Sequence, residues 1–210
     1  MAQPGKLVAA SFVDVPRQRN TREENATIKS GETPAAWAEQ PAKQRQKDVA
    51  ARWTRKNAEG HYGCKNHVKA DAQSKLIEPY AVSAASGHDS QQLEALVAPT
   101  AGAVYADSAY RRAEAEAMLI EKAVTSQIHA RADRHRPLTG EPKGRNQQKS
   151  KIRVRSEHLF GYLSQSMKGF YLHALGRRRN AAAIGLTNLI YNLARYEQII
   201  RLKLLPLRAV

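Results

Sequence analysis

The sequence predicts an α/β fold, a mixed β-sheet with helices packed on its faces, and three observations carry that expectation. Short apolar runs bounded by turn-forming residues mark strands. Longer stretches whose apolar residues recur at three- and four-residue steps mark amphipathic helices. Along the chain these run strand, hairpin, helix, strand, helix, strand, helices, an order that lays helices over a sheet. With 210 residues the chain can bury one core, so one domain over residues 1–210 is expected.

Residues 5 to 13 read as a buried strand, closed by Pro16, which cannot donate to a ladder. From 17 to about 60 the chain is rich in Gln, Arg, Lys, Glu and Ala, with prolines at 34 and 41. It reads as a polar insertion with weak helical stretches and no core face, a solvated loop rather than an ordered DNA-contacting element. Trp37 and Trp53 lie within it, where their rings would either stack on unpaired bases or pack locally.

Residues 61 to 68 and 75 to 82 flank the turn-forming Asp71-Ala-Gln-Ser74 and read as a β-hairpin. Along its first strand His61, Lys65 and His67 alternate, so all three face one side and could line a DNA groove. Gly87-His88-Asp89-Ser90 reads as the cap of a helix over 91 to 97, with Asp89 in the capping role. Residues 104 to 106 form the next strand, 111 to 123 a helix rich in Ala, Glu, Met and Leu, and 124 to 129 a strand.

Residues 131 to 155 carry nine Lys or Arg against two acids. Pro137, Gly140, Pro142 and Gly144 predict a basic loop at about 131–149, with no regular structure before about Asn146. Beyond it Ile152, Leu159, Phe160, Leu163, Met167, Phe170 and Tyr171 make one apolar helical face, with Arg153, Glu157, Ser164 and Lys168 on the other. A last helix, 181 to 204, repeats the pattern through Leu186, Leu189, Leu193 and Ile200.

Composition narrows the partner. An excess of 34 Lys and Arg over 19 Asp and Glu gives a net charge of +15, the footprint of a polyanion binder, so nucleic acid is expected ahead of an anionic membrane. The single cysteine, Cys64, excludes an internal disulfide and a Cys-rich zinc site and fits a reducing compartment. No apolar run reaches bilayer length, and residues 7 to 13 are too short and lack the basic flank of a signal peptide. No membrane association and a cytoplasmic location are expected. Zinc-finger, Walker and dinucleotide motifs are absent from the sequence.

Within this basic chain, Asp107 closes the short strand 104 to 106, and Glu157 stands fifty residues further on, upon an amphipathic helix. Two carboxylates converging in a polyanion binder point to metal-dependent chemistry on a phosphate backbone. Mg²⁺ takes only one or two protein carboxylates and leaves its other positions to water and phosphate oxygens.

Several stretches carry a family resemblance: Val15-Pro-Arg-Gln-Arg-Asn-Thr-Arg-Glu-Glu-Asn25, Lys47 through Lys56, His61 through Val68, Ala106-Asp107-Ser-Ala-Tyr110, Arg153-x-x-x-Glu157-His158 and Ile184 through Leu193. In this order they resemble bacterial insertion-sequence transposases of the DDE class, in the insertion-sequence-five group with an insertion-sequence-four-like catalytic domain. The resemblance implies a ribonuclease-H-like domain in which three carboxylates hold two Mg²⁺ or Mn²⁺ ions for phosphodiester cleavage and strand transfer. Asp107 matches the second acid and Glu157 the third, making both the expected catalytic and metal-binding residues. Arg153, one turn before Glu157, would orient it or touch a phosphate. Lys65, Arg153, Arg155 and Lys168 are the expected DNA contacts.

The match is incomplete at defined positions. Where the family places its first acid, this chain has Ala9, which offers no metal ligand. Asp14 is a poor substitute, because an odd offset points to the other face and five residues of strand displace it by roughly 17 Å. Ser150 and Ser164 stand where the signature has Tyr and Lys; Lys168 could supply the missing charge. Relatives also carry a DNA-end-binding domain before the first catalytic strand, where this chain begins, so it reads as the back portion of a transposase from a truncated element. The expected function is therefore a transposase catalytic-domain fragment, impaired at Ala9, with DNA and a homo-oligomer or full-length transposase as partners. The alternative is a non-enzymatic basic nucleic-acid-binding protein that retains the fold.

Overall fold

A computed structural model describes residues 5–56, 58–99, 102–132, 137–167 and 171–205. Its centre is β1 (Lys6–Asp14), which pairs on one side with the long β3 (Glu59–Asp71), antiparallel, and on the other with β5 (Gly102–Tyr105), parallel. β6 (Val124–Ser126) extends the sheet beside β5, also in parallel. β2 (Arg52–Lys56) and β4 (Ile77–Ala84) both pair antiparallel with β3, β2 along its first residues and β4 from Cys64 onward. The hairpin turn falls where expected, with the Asp71 carboxylate accepting from the Gln73 and Ser74 amides.

Alternation along β1 decides what each face meets. Val8 points to one side and packs with Leu93 and Leu96 of α3 (Leu93–Leu96), Leu119 of α4 (Ala113–Glu121), Val104 and Tyr110. Leu7 and Val13 point to the other, Leu7 against Tyr105 and Ile152 of α5 (Glu141–Gly161), Val13 against Ile184 of α6 (Arg177–Arg201). An antiparallel trio joined to two parallel strands through β1, with helices on both faces, is the ribonuclease-H-like arrangement that the resemblance implied.

The insertion departs from expectation. Instead of a solvated loop it holds α1 (Arg22–Lys29), a short 3₁₀ turn, α2 (Pro41–Arg45) and β2. Thr21 and Glu24 close α1 with a reciprocal capping box. Trp37 is fully buried and donates from Nε1 to Glu24 Oε1 at 2.6 Å, and Lys43 donates to the same oxygen at 2.7 Å. These partners hold the Glu24 carboxyl at a pKa of about 2, Lys43 first, then Trp37 and the Thr21 amide. Asp48 ties the segment to the sheet domain, accepting from the Ala50 and Ala51 amides and, through Oδ2, from the Gly176 amide that opens α6. Of the two tryptophans only Trp53 is exposed, with Arg17 over its ring.

Two helices also differ. The basic segment turns helical at Glu141 rather than near Asn146: Gly140, at φ 62°, makes the turn, and Pro142 occupies the first turn, where its missing N–H costs nothing. On α6 the buried residues are Asn180, Ile184, Asn188, Tyr191 and Ile199, whereas Leu186, Leu189, Leu193 and Ile200 are exposed. Asn188 and Asn66 exchange amide hydrogen bonds at 2.9 and 3.2 Å, so a polar pair lies at the centre of the α6 contact. Cys64 is buried, and burial pushes its thiol up to about 11, which makes it a small inert strand residue. Among the described residues no helix is long and apolar enough to cross a membrane.

Candidate active site and nucleic-acid interface

The carboxylates stand on elements that meet at one end of the parallel strands. β1 pairs with β5 so that Lys6 lies opposite Val104 and Leu7 opposite Tyr105; the same register carried forward brings Ala9 level with Asp107. By alternation Ala9 follows Leu7, and Asp107 follows Tyr105, onto the face covered by α5. Asp107 ends its strand by capping the next turn, accepting from the Ala109 amide at 2.8 Å through one oxygen.

Glu157 lies on α5, five residues beyond the Ile152 that packs on Leu7 and Tyr105. It is exposed, and Arg153 donates to its Oε1 at 3.3 Å, the one-turn pairing that the spacing predicts. Arg153 Nε is buried and has no hydrogen-bond partner among the described residues. His129 links the neighbourhood. Its amide donates to the Ala106 carbonyl at 3.1 Å, and burial, then the Arg153 and Lys149 cations, hold its imidazole below the ordinary pKa against the opposing pull of Asp107. A ring beside two cations and an anion was not singled out from the sequence, because 129 and 153 come together only where the segment after β6 meets α5.

The donor set bears directly on a metal. Asp107 and Glu157 supply two carboxylates, Ala9 supplies none, and among the described residues no group of three His, Cys, Asp or Glu could hold an ion. Asp14 sits on the opposite face from Ala9, its Oδ1 3.7 Å from His61 Nδ1, so it does not fill the gap. Mg²⁺ needs only one or two protein carboxylates, whereas two bridged ions call for more carboxylate charge than this pair supplies.

The four expected DNA contacts fare differently. Arg153 lies beside Glu157 as described. Lys65 is engaged inside the fold: its ammonium donates to the Gly87 carbonyl and to Asp89 Oδ1, both at 2.8 Å, and its side chain is 12% exposed. Asp89 is thereby an ion-pair partner rather than a cap, and His88 accepts from the Ser90 amide in its place. The rest of that strand face is covered as well, with His67 fully buried against Ser83 and His61 stacked on Phe12. Arg155 turns to the hairpin and donates to the Ala72 carbonyl, which makes it an anchor between α5 and the sheet. Lys168 lies outside the described residues.

Other cations collect where the sequence placed only a basic stretch. Arg111, Arg131, Arg145 and Lys149 line one groove, together with Asn146 and Pro142. Arg145, Lys149, Arg153 and Glu157 share an i, i+4 stripe along α5, a spacing legible in the sequence once the helix is known to start at 141.

Comparison with known proteins follows the same lines. The profile described as "Transposase DDE domain" matches residues 10–193. A transposase for insertion sequence element IS1106 from Neisseria meningitidis serogroup B is 35% identical over 124 residues, 58% of this chain and 43% of its own length. The chain thus spans less than half the length of that relative. No solved structure matches it. With most of its length under one family profile and the strand order of that fold, the chain belongs to the transposase DDE domain family.

Proposed function

We propose that this chain is the catalytic portion of an insertion-sequence DNA transposase in which Asp107 and Glu157 are two of the metal-holding carboxylates and Ala9 replaces the third, leaving cleavage and strand transfer impaired. The observation that supports the reading is the β1–β5 register, with Leu7 opposite Tyr105 on the face beneath α5, which carried two residues further brings Ala9 level with Asp107. A divalent ion, when bound, would polarise the phosphodiester and its attacking oxygen. The chain's own residues would then divide the remaining work. Arg153 holds the Glu157 carboxylate in place and neutralises part of the phosphate charge. The Ala109 amide fixes Asp107 so that its second oxygen is free for a ligand.

Calorimetric titration with Mn²⁺ tests this: weak binding in the chain as it stands, lost in Asp107→Asn and in Glu157→Gln. Binding that neither substitution changes would overturn the assignment. The alternative, a nucleic-acid-binding protein without nuclease chemistry, draws its support from Ala9 and the basic groove. It predicts DNA binding with no metal dependence at all.

A further inference from the structure

The groove between the segment after β6 and the first half of α5 lies beside the carboxylates, not among them. Hydrogen bonds tie its two walls together. Asn146 clamps Ala130 from both sides, its Oδ1 accepting from the amide at 2.9 Å and its Nδ2 donating to the carbonyl at 3.0 Å. Lys149 donates to the Ile128 carbonyl at 3.0 Å. The half-open space between the walls is about 520 Å³, room for a chain of phosphates and sugars rather than for a single ion.

The charge of this groove is unbalanced. Arg111 approaches Glu116 only at 3.9 Å, and Arg145 pairs with Glu141, both side chains of that pair being largely exposed. Arg131 and Lys149 have no acidic partner within 4.0 Å among the described residues. Burial and the neighbouring Arg111 and Arg145 lower the Lys149 pKa, with Glu116 opposing, so cations here repel one another in the absence of an anion. With Lys149 held on the Ile128 carbonyl and the two walls tied by Asn146, the groove gathers these cations into a site suited to negative charge.

Along α5, Arg145, Lys149 and Arg153 succeed one another every four residues, a step of about 6 Å at 1.5 Å per residue. The row ends at Glu157. A cation row of this pitch, leading from an open groove to a carboxylate, suits a polyanion with regularly spaced charges.

We infer that the groove lined by Arg111, Arg131, Arg145 and Lys149 seats the phosphate backbone of a DNA strand, which runs along α5 from the groove to Arg153 and Glu157. The groove thereby sets the direction and register in which a strand reaches the carboxylates. That the polyanion is DNA rests on the transposase reading; the seat itself rests on the cations and their clamps.

The test is binding of a fluorescent DNA duplex to the full chain, measured by anisotropy in EDTA over a series of salt concentrations. Each phosphate contact contributes about 0.9 to the slope of log K against log salt. Replacing both Arg145→Gln and Lys149→Gln should therefore flatten the slope by about 2 units. Arg178→Gln with Arg179→Gln, an equal charge loss at the exposed start of α6, should change it by less than half as much. Because Lys149 also supports the Ile128 carbonyl, the pair Arg131→Gln with Arg145→Gln, both on exposed side chains, repeats the measurement without touching the clamp. Equal effects from the groove and control variants, or no binding at low salt, would overturn the proposal. The Mn²⁺ titration of the same variants separates the two readings, since a failed groove leaves metal binding unchanged, and a failed carboxylate assignment leaves the slope effect unchanged.

Discussion

Leu7 lies opposite Tyr105 on neighbouring parallel strands, and that register carried two residues past the end of β5 brings Ala9, the proposed position of the missing acid, level with Asp107. A methyl group there cannot share an ion or offset the repulsion between two. Ala9→Asp should tighten Mn²⁺ binding by at least about tenfold, judged against the 10- to 100-fold that even outer-shell contacts contribute at metal sites. The unaltered chain should give no detectable Mg²⁺-dependent nicking of supercoiled DNA. Robust nicking by the Ala9 form, or equal affinity in the two forms, would mean that the first acid lies elsewhere.

The insertion should be a stabilising element. Trp37→Ala removes a fully buried indole and is expected to cost about 3–5 kcal/mol in denaturant unfolding. Glu24→Ala strands the indole N–H and should cost about 1–3 kcal/mol. The Glu24 pKa lies well below the unfolded value of 4.5, so its contribution is complete above about 4.5 and drains away as pH falls toward 2. A midpoint unmoved by Trp37→Ala would restore the picture of a solvated loop.

What the sequence made legible was whatever depends on neighbours in the chain. The hairpin around Asp71 to Ser74 and the Arg153–Glu157 pair follow from local rules, and both are present. The insertion was misread although Thr21 and Glu24 already spell a capping box, because its core is a tryptophan among charged partners rather than an apolar stripe. Lys65 was misread because Asp89, the partner that occupies it, is 24 residues away. On α6 the periodicity of Leu186, Leu189 and Leu193 is as regular as that of Ile184 and Tyr191. The buried face is the one that also carries Asn180 and Asn188, which apolar counting passes over.

His67 should make the fold sensitive to mild acid. It is completely buried with Nε2 on Ser83 and Nδ1 without a partner among the described residues, and burial, aided by Lys65 and opposed by Asp89, pushes its pKa down to about 4. A proton therefore binds the unfolded chain, near 6.5, before the folded one. Stability is full above about 6.5 and declines as pH falls from there to about 4, by about 3 kcal/mol in all. Unfolding midpoints measured from pH 7.5 to 4.5 should show this slope, and His67→Gln should remove most of it. A slope that persists in the variant would assign the acid response to other groups.

The reciprocal amides of Asn66 and Asn188 join α6 to β3 across 122 positions of sequence, in a setting where each satisfies the other. Removing one partner leaves a buried amide with its desolvation uncompensated, at about 1–3 kcal/mol, while replacing both by apolar groups of similar shape approaches neutrality. Asn188→Leu alone should therefore lower the unfolding free energy by that amount, and Asn66→Leu alone by a similar one. The double variant should be more stable than the sum of the two losses requires, with a coupling of about 1 kcal/mol or more in a double-mutant cycle. Additive losses would show that the two amides act independently and that α6 is held by Ile184, Tyr191 and Ile199 alone.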